Sequence, residues 1–178
     1  MRWLNIFFVI TVLGVAGCKS DEASLKLVKN QPEYLHEMVH QLSDVIVHDI
    51  FSPPVASRIY AYASIAGYEA NAIGDPNYRS LAGQLNGLKE IPAPQEGVTI
   101  NFALASVKAF LNVGKQLIFS EHLMEEFETD LMNRIKTEGV SKKVFQNSLA
   151  YGEQVADHIL EWASKDMYSQ TRTYPKFA

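Results

Sequence analysis

The sequence has one cysteine, Cys18, in 178 residues. An internal disulfide is therefore excluded, and so is a zinc cage built from cysteines. No Gly-x-Ser-x-Gly elbow and no glycine-rich phosphate loop occur, so neither a nucleophilic serine nor a nucleotide cradle has a local signature. Positive charge is scarce: the formal net charge is −4, and no basic patch is interleaved with aromatics. Nucleic acid is not an expected partner. No segment alternates at period two over the length of a strand, and no internal repeat is visible. The one long apolar run lies at the N-terminus and falls short of the roughly 20 residues of a membrane span.

That run is informative. Met1-Arg2-Trp3 gives a basic start, Leu4 to Ala16 is broken only by Asn5 and Thr11, and Val15-Ala16-Gly17-Cys18 follows. This is the layout of a secretory signal. Val-Ala-Gly-Cys resembles a bacterial lipobox, which implies cleavage before Cys18 and lipid attachment to it. The expected organisation is a signal peptide over 1–17, a lipidated polar tether over 18–30 and a helical domain over 31–178. The expected place is the bacterial cell envelope, lipid-anchored to the outer membrane on its periplasmic or surface face, with the membrane as partner through Cys18. About 160 residues remain after the leader, enough for one core.

Helical periodicity dominates the rest. Pro32 starts a helix running to about Ile50, with Leu35, Met38/Val39, Leu42 and Val45/Ile46 in period. Ser52-Pro53-Pro54 ends it and launches a second, with Ser52 as the expected cap and proline in the first turn. Val55, Ile59, Ala63, Ala66 and Ala70 form its stripe, and its many small residues admit close neighbours, so it reads as the central helix. Turn signals fill 74–97, with a short helix expected around Tyr78, Leu81 and Leu85. A third main helix spans about Thr99 to Phe119, with Phe102, Ala103, Ser106, Phe110, Val113 and Leu117 on one face. Ser120 is the expected cap of a fourth. Leu123/Met124, Phe127, Leu131 and Ile135 face its core, Glu121, Glu125, Glu126, Glu128 and Asp130 crowd its outside, and Gly139 stops it. Ser141 caps a fifth, with Val144, Phe145, Ser148, Tyr151/Gly152, Val155, Ile159 and Trp162 inward. Tyr168 to Ala178 has no period. The fold class is all-α, about five helices packed as a bundle.

Two polar groupings are candidates for chemistry. His36-Glu37-Met38-Val39-His40 matches His-Glu-x-x-His. Residues four apart share a helix face, so two imidazoles can grip a zinc while the glutamate acts as base on a water. Glu69 is the candidate third ligand. A small zinc metallopeptidase is the alternative function on this basis, and two solvent-facing histidines are the plain one. The second grouping is Asp49, Arg58 and Glu69. Arg58 is suited to an oxyanion, but a structural ion-pair cluster, Arg58 held by Asp49 or Glu69, is preferred.

Several stretches also carry a resemblance. His48-Asp49-Ile50-Phe51-Ser52-Pro53-Pro54, Ala56-Ser57-Arg58-Ile59-Tyr60-Ala61-Tyr62, Tyr68-Glu69-Ala70, Ser80-Leu81-Ala82-Gly83-Gln84-Leu85-Asn86-Gly87 and Tyr168-Ser169-Gln170-Thr171-Arg172-Thr173-Tyr174-Pro175-Lys176-Phe177 resemble the N-terminal region of vanadium-dependent haloperoxidase-like lipoproteins. These belong to the type-2 phosphatidic acid phosphatase superfamily. The resemblance implies the N-terminal portion of a larger all-α fold, an enzyme that is a haloperoxidase or an acid phosphatase, and vanadate as cofactor of a haloperoxidase. The family's Lys-x6-Arg-Pro, Pro-Ser-Gly-His and Arg-x5-Gly-x-His motifs are missing. Lys165 and Arg172 keep the first spacing, but Thr173 stands where the proline belongs, so no catalytic or cofactor-binding residue is carried over. The expectation is a chain non-catalytic by itself, with no cofactor of its own. It would be truncated before a missing C-terminal catalytic half, or else a non-enzymatic envelope lipoprotein.

Overall fold

The protein is described by a computed structural model covering residues 16–28 and 32–174. Residues 1–15 of the expected leader, 1–17, lie outside the described residues. Helices α1 (Ala16–Lys26), α2 (Pro32–His48), α3 (Pro53–Ala72), α4 (Phe102–Leu117), α5 (Glu121–Thr137) and α6 (Lys142–Ala163) follow in order. A 3-10 turn, Ser164–Asp166, and a one-turn helix α7, Tyr168–Thr171, complete the described chain. No strand occurs among the described residues, so the all-α bundle is borne out.

The helix at the centre is α4, not α3. It packs against α2, α3, α5 and α6. Leu104, Ala105, Val107, Ala109, Phe110, Leu111, Val113, Gly114 and Leu117 are all buried, which covers its whole circumference. The expected α3 stripe is correct, since Val55, Ile59, Ala63, Ala66 and Ala70 are buried, but α3 keeps Ala61, Ser64 and Tyr68 exposed. Close approach comes from small residues at the crossings. A Cβ on Gly152 of α6 would lie 2.5 Å from the Ala105 carbonyl oxygen and 2.8 Å from Lys108 Cβ. One on Gly67 of α3 would meet Ser106 Oγ at 3.3 Å. The α4–α6 crossing therefore has no room for any side chain at 152.

Helix ends differ from expectation in instructive ways. Ser52 makes no side-chain cap. Pro53 and Pro54 have no N–H to cap, and the next two, Val55 and Ala56, donate to the Ser52 carbonyl at 3.0 and 2.9 Å. At the end of α2, Phe51 N–H reaches the Ile46 carbonyl at 3.2 Å and Ile50 N–H the Val47 carbonyl at 3.1 Å. This is a Schellman closure with Ile50 in the left-handed region, φ 55°. Gly139 ends α5 as expected, φ +93°.

The cap that matters most is Asn101. It is 2% exposed, its Oδ1 accepts from Leu104 N–H at 3.0 Å, and its Nδ2 donates to the carbonyls of Ser24 (2.7 Å) and Leu27 (2.8 Å). Its own N–H donates to Ser148 Oγ at 2.9 Å. One residue thus starts α4 and ties it to α1 and α6. Ser24 is fully buried, its Oγ accepts Ser141 N–H at 2.9 Å, and Asp21 accepts from Ser141 Oγ at 2.7 Å. The stretch read as a polar tether over 18–30 is thus helical through Lys26 and docked from Asp21 onward. Asp21 and Ser24 find partners in the bundle while Glu22 and Lys26 stay exposed, a division that composition alone does not disclose.

The connection between α3 and α4 wraps the surface and contains turns only, so the short helix expected around Tyr78, Leu81 and Leu85 is not formed. Its carbonyls are collected by one face of α6. Asn147 donates to Thr99 O, Tyr151 to Pro92 O and Trp162 to Asn86 O, while His158 Nε2 lies 3.3 Å from Lys89 O. Residues spaced at helical intervals therefore lace down a segment that has no ladder of its own.

Replacing Asn101→Ala removes a cap and takes the amide away from the carbonyls of Ser24 and Leu27. A loss of about 2–4 kcal/mol is expected in urea denaturation, with hydrogen exchange in α1 accelerating first. A loss below about 0.5 kcal/mol would show that water replaces the amide at little cost.

Candidate functional site

The zinc motif lies on α2 with its parts committed elsewhere. Glu37 forms a two-pronged ion pair with Arg134 of α5. That hydrogen bond, opposed by burial, holds its carboxyl below the ordinary carboxylate range. His40 Nδ1 pairs with Asp44 at 3.1 Å on the open surface. His36 is exposed. Glu69 does not join them. It is 1% exposed, accepting Ser80 Oγ at 2.8 Å and Leu81 N–H at 2.6 Å. Among the described residues, no group of three or more His, Cys, Asp and Glu could hold a metal ion.

The expected ion-pair cluster of Asp49, Arg58 and Glu69 is also replaced by three separate contacts. Glu69 anchors the start of the wrapped connection and helps line a cleft of about 760 Å³ with Ile73, Tyr78, Leu88 and Ile91. Its charge, after burial itself, helps push the Tyr151 hydroxyl up to about 12. Asp49 reaches across to the start of α5. Its Oδ2 accepts Phe119 N–H at 2.8 Å and Ser120 N–H at 3.0 Å, and Oδ1 accepts from Ser120 Oγ. Ser120 holds the capping position of α5 but makes no cap of its own, because its hydroxyl is turned to Asp49. The carboxylate sits where the helix dipole favours an anion. Burial pushes Asp49 up, but the bonds from Ser120 and Phe119 and the charge of His48 outweigh it and leave its pKa lowered.

Arg58 is held by the far end of the chain. It donates to Thr171 Oγ1 at 2.6 Å and to Asp166, and lies 5.1 Å over the Tyr168 ring. Asp166 also accepts from Tyr62 Oη and from Tyr168 N–H. Tyr168 is 2% exposed, its hydroxyl donates to the Leu117 carbonyl at 2.6 Å, and burial pushes it up to about 12. Arg172 lies 5.1 Å from the Phe119 ring. So residues 168–174, which have no period in sequence, are a plug into α3 and α4, with one helical turn of their own. Lys165 pairs with Glu161 on the surface and does not converge with Arg172.

Glu128, expected on the acidic outer face of α5, is instead covered. It accepts from Lys108 at 2.6 Å and Lys115 at 3.1 Å, all three with side chains under one-fifth exposed. Burial raises its pKa, and the two lysines more than reverse this. Its position between Met124 and Leu131 on the helix marks the edge of the core face, a signal that spacing could have provided.

With this geometry in place the chain can be set beside known proteins. No protein-family profile matches it, and no curated protein matches it. The helical arrangement is that of part of a haloperoxidase. A crystal structure of a bacterial vanadium-dependent iodoperoxidase, described as the first, matches with 52% identity and a TM-score of 0.75. The match covers 82% of this chain and 35% of that one. The chain is thus related to the vanadium haloperoxidases and spans about a third of the length of the solved relative.

The described residues do not fit vanadate. An oxyanion of that kind needs several free cationic donors around one point. Here four of the half-buried cations are paired, Arg58 with Asp166, Lys108 and Lys115 with Glu128, and Arg134 with Glu37; Arg172 lies against the faces of Phe119 and Tyr168 with its Nε unbonded, one donor where several are needed. No step is assigned through vanadate.

Asp49 has a folded pKa below its unfolded value, so its contribution is complete above the ordinary carboxylate range and vanishes as pH falls through the depressed value. Asp49→Asn should lower stability by about 1 kcal/mol at neutral pH, with the gap to wild type closing in acid. Urea denaturation over a pH series reads this. A gap that is constant with pH would remove the charge from the explanation.

Proposed function

We propose that these residues form the helical framework of a haloperoxidase-like cell-envelope lipoprotein, and that the framework alone turns over no substrate. The observation that carries the reading is the 52% identity to an iodoperoxidase over 82% of this chain but only 35% of that one. The ion pairing supports it: Arg58, Lys108, Lys115 and Arg134 are spent on holding segments of the chain together, so they serve scaffold rather than anion. Because the relative is an iodoperoxidase, halide oxidation is favoured over phosphate-ester hydrolysis for the protein this framework would serve. The lipobox-like Val15-Ala16-Gly17-Cys18 supports anchoring by lipid on Cys18 at the outer membrane. No helix among the described residues is long and apolar enough to cross a membrane. The docked α1 adds a consequence. Ser24 is six residues from Cys18, about 9 Å along a helix, so the body would ride close to the bilayer.

The purified chain, given vanadate, hydrogen peroxide and iodide, should oxidise iodide no faster than buffer. Vanadate-dependent turnover that scales with the protein would overturn the framework reading.

Anchoring is checked separately. Cys18→Ser should move the expressed protein from the detergent phase to the aqueous phase and remove the lipid mass. Unchanged partitioning would discard lipidation.

A further inference from the structure

Tyr62 of α3 combines a tryptophan ring contact with a carboxylate acceptor, a pairing that no other described tyrosine has. Its ring lies edge-on to the Trp162 indole of α6 with centroids 5.3 Å apart, a contact geometry that aromatic pairs favour. Its hydroxyl donates to Asp166 Oδ2 in the 3-10 turn. Tyr34 donates to Glu138, but its ring lies against Arg134, 5.8 Å from the guanidinium carbon. Tyr168 packs edge-on to Tyr62 at 6.4 Å, but its hydroxyl donates to the Leu117 carbonyl, which takes up no proton. Tyr151 donates to the Pro92 carbonyl and packs on Phe102. Burial sharpens the contrast. Tyr62 is 7% exposed, whereas Trp162 is half-buried and partly open to solvent. The indole N–H donates to Asn86 O at 3.0 Å, which fixes the ring against the wrapped connection. The Asp166 side chain is 38% exposed and so also meets water. A small oxidant in solution therefore reaches Trp162 before Tyr62, while Tyr62 has a base waiting for its proton.

We propose that Trp162, Tyr62 and Asp166 form a one-electron relay, in which a small oxidising radical of the azidyl or dihalide class is reduced at Trp162 and the oxidising equivalent comes to rest on Tyr62. The radical takes one electron from Trp162 and is reduced to its anion. Tyr62 then passes one electron to the indole radical cation, which returns to the neutral ring with its N–H still on the Asn86 carbonyl. In the same step the Tyr62 Oη proton moves along its existing hydrogen bond to Asp166 Oδ2. The products are a neutral tyrosyl on α3 and a protonated Asp166, so charge and electrons balance. The direction follows from the chemistry, because a phenol that sheds its proton with its electron is easier to oxidise than an indole. Electron tunnelling falls off exponentially with separation, and these two rings are in contact. Arg58 Nη2 holds Asp166 by Oδ1, which leaves Oδ2 to Tyr62. Tyr168 has no base for its proton, so the hole stops at Tyr62. The inference stands on this chain's own residues and does not depend on the proposed function.

The test uses the full 178-residue chain with Trp3→Phe, so that Trp162 is the one tryptophan left. Pulse radiolysis in azide solution generates azidyl radicals, which oxidise tryptophan first. The expected result is a tryptophyl absorption that decays at a rate independent of protein concentration while tyrosyl absorption rises at the same rate. Tyr62→Phe keeps the ring and should slow that phase at least tenfold, with Tyr34→Phe and Tyr168→Phe leaving it unchanged. Asp166→Asn should slow it about fivefold. Circular dichroism checks that each variant keeps its helices. One further measurement needs no substitution at the relay: the transfer should run at least twofold slower in heavy water, because the proton moves with the electron. Equal rates in the two solvents overturn the relay. So does tryptophyl decay that is purely bimolecular, or a rate that a folded Tyr62→Phe or Asp166→Asn leaves unchanged. Slowing by Tyr34→Phe or Tyr168→Phe in place of Tyr62→Phe assigns the hole to another tyrosine and overturns it too.

Discussion

The structure depends on one buried amide. Asn101 makes four hydrogen bonds through its side chain and N–H: one starts α4, two hold the end of α1 and one reaches α6. The constraint arises because α4 is surrounded. A helix buried on all sides cannot leave its first N–H groups to water, so its cap must come from within. Asparagine is the residue type that can accept from α4 and donate twice elsewhere. Aspartate would cap equally well but would face two carbonyls with no proton to give. The order of assembly follows: α1 and α6 are placed relative to α4 by the same residue that starts it.

Around α4 the other contacts sort by distance. Where α6 crosses, Gly152 lets backbone approach backbone, and the polar Ser148 just before it serves Asn101. Where α5 crosses, long side chains fill the gap, and Lys108 and Lys115 clamp Glu128. A charge trio this covered is worth little as net stabilisation, since desolvation opposes the attraction. Its stronger effect is on register, because sliding α5 by one turn would strand three charges. The same reasoning applies to Asp166, which satisfies Arg58, Tyr62 and the Tyr168 N–H together and fixes where the last turn lies on α3.

The helices were legible because periodicity is a local property. Val55 through Ala70, Val144 through Ile159, and Gly139 as a stop all stand where spacing put them. What failed was long-range. Asp49 and Ser120 are 71 positions apart, and nothing near either residue says that one will turn the other away from its cap. Arg58 had two nearby carboxylates on paper and took a third, Asp166, 108 positions on. Asn101 sat in view as a capping residue type immediately before Phe102, but a turn-rich approach disguised it. Residues 18–30 read as tether because polar composition does not distinguish Asp21 and Ser24, which are paired in the bundle, from Glu22 and Lys26, which are exposed. The family relation was legible from short motifs.

The His-Glu-x-x-His sequence illustrates how a chemical motif can arise from packing. Helix α2 must present Tyr34, Met38 and Leu42 inward, and it also keeps Leu35 and Val39 apolar on an outer stripe. Polar residues are then left to the remaining side of the helix and its border with the outer stripe. Positions 36, 37 and 40 fall there, and four-residue spacing follows from the helix, not from a metal. Glu37 is drawn to Arg134 and His40 to Asp44 because those are the charges the neighbouring turns supply. The pattern that resembles a zinc site in sequence is therefore the signature of a helix that is apolar on more than its buried face.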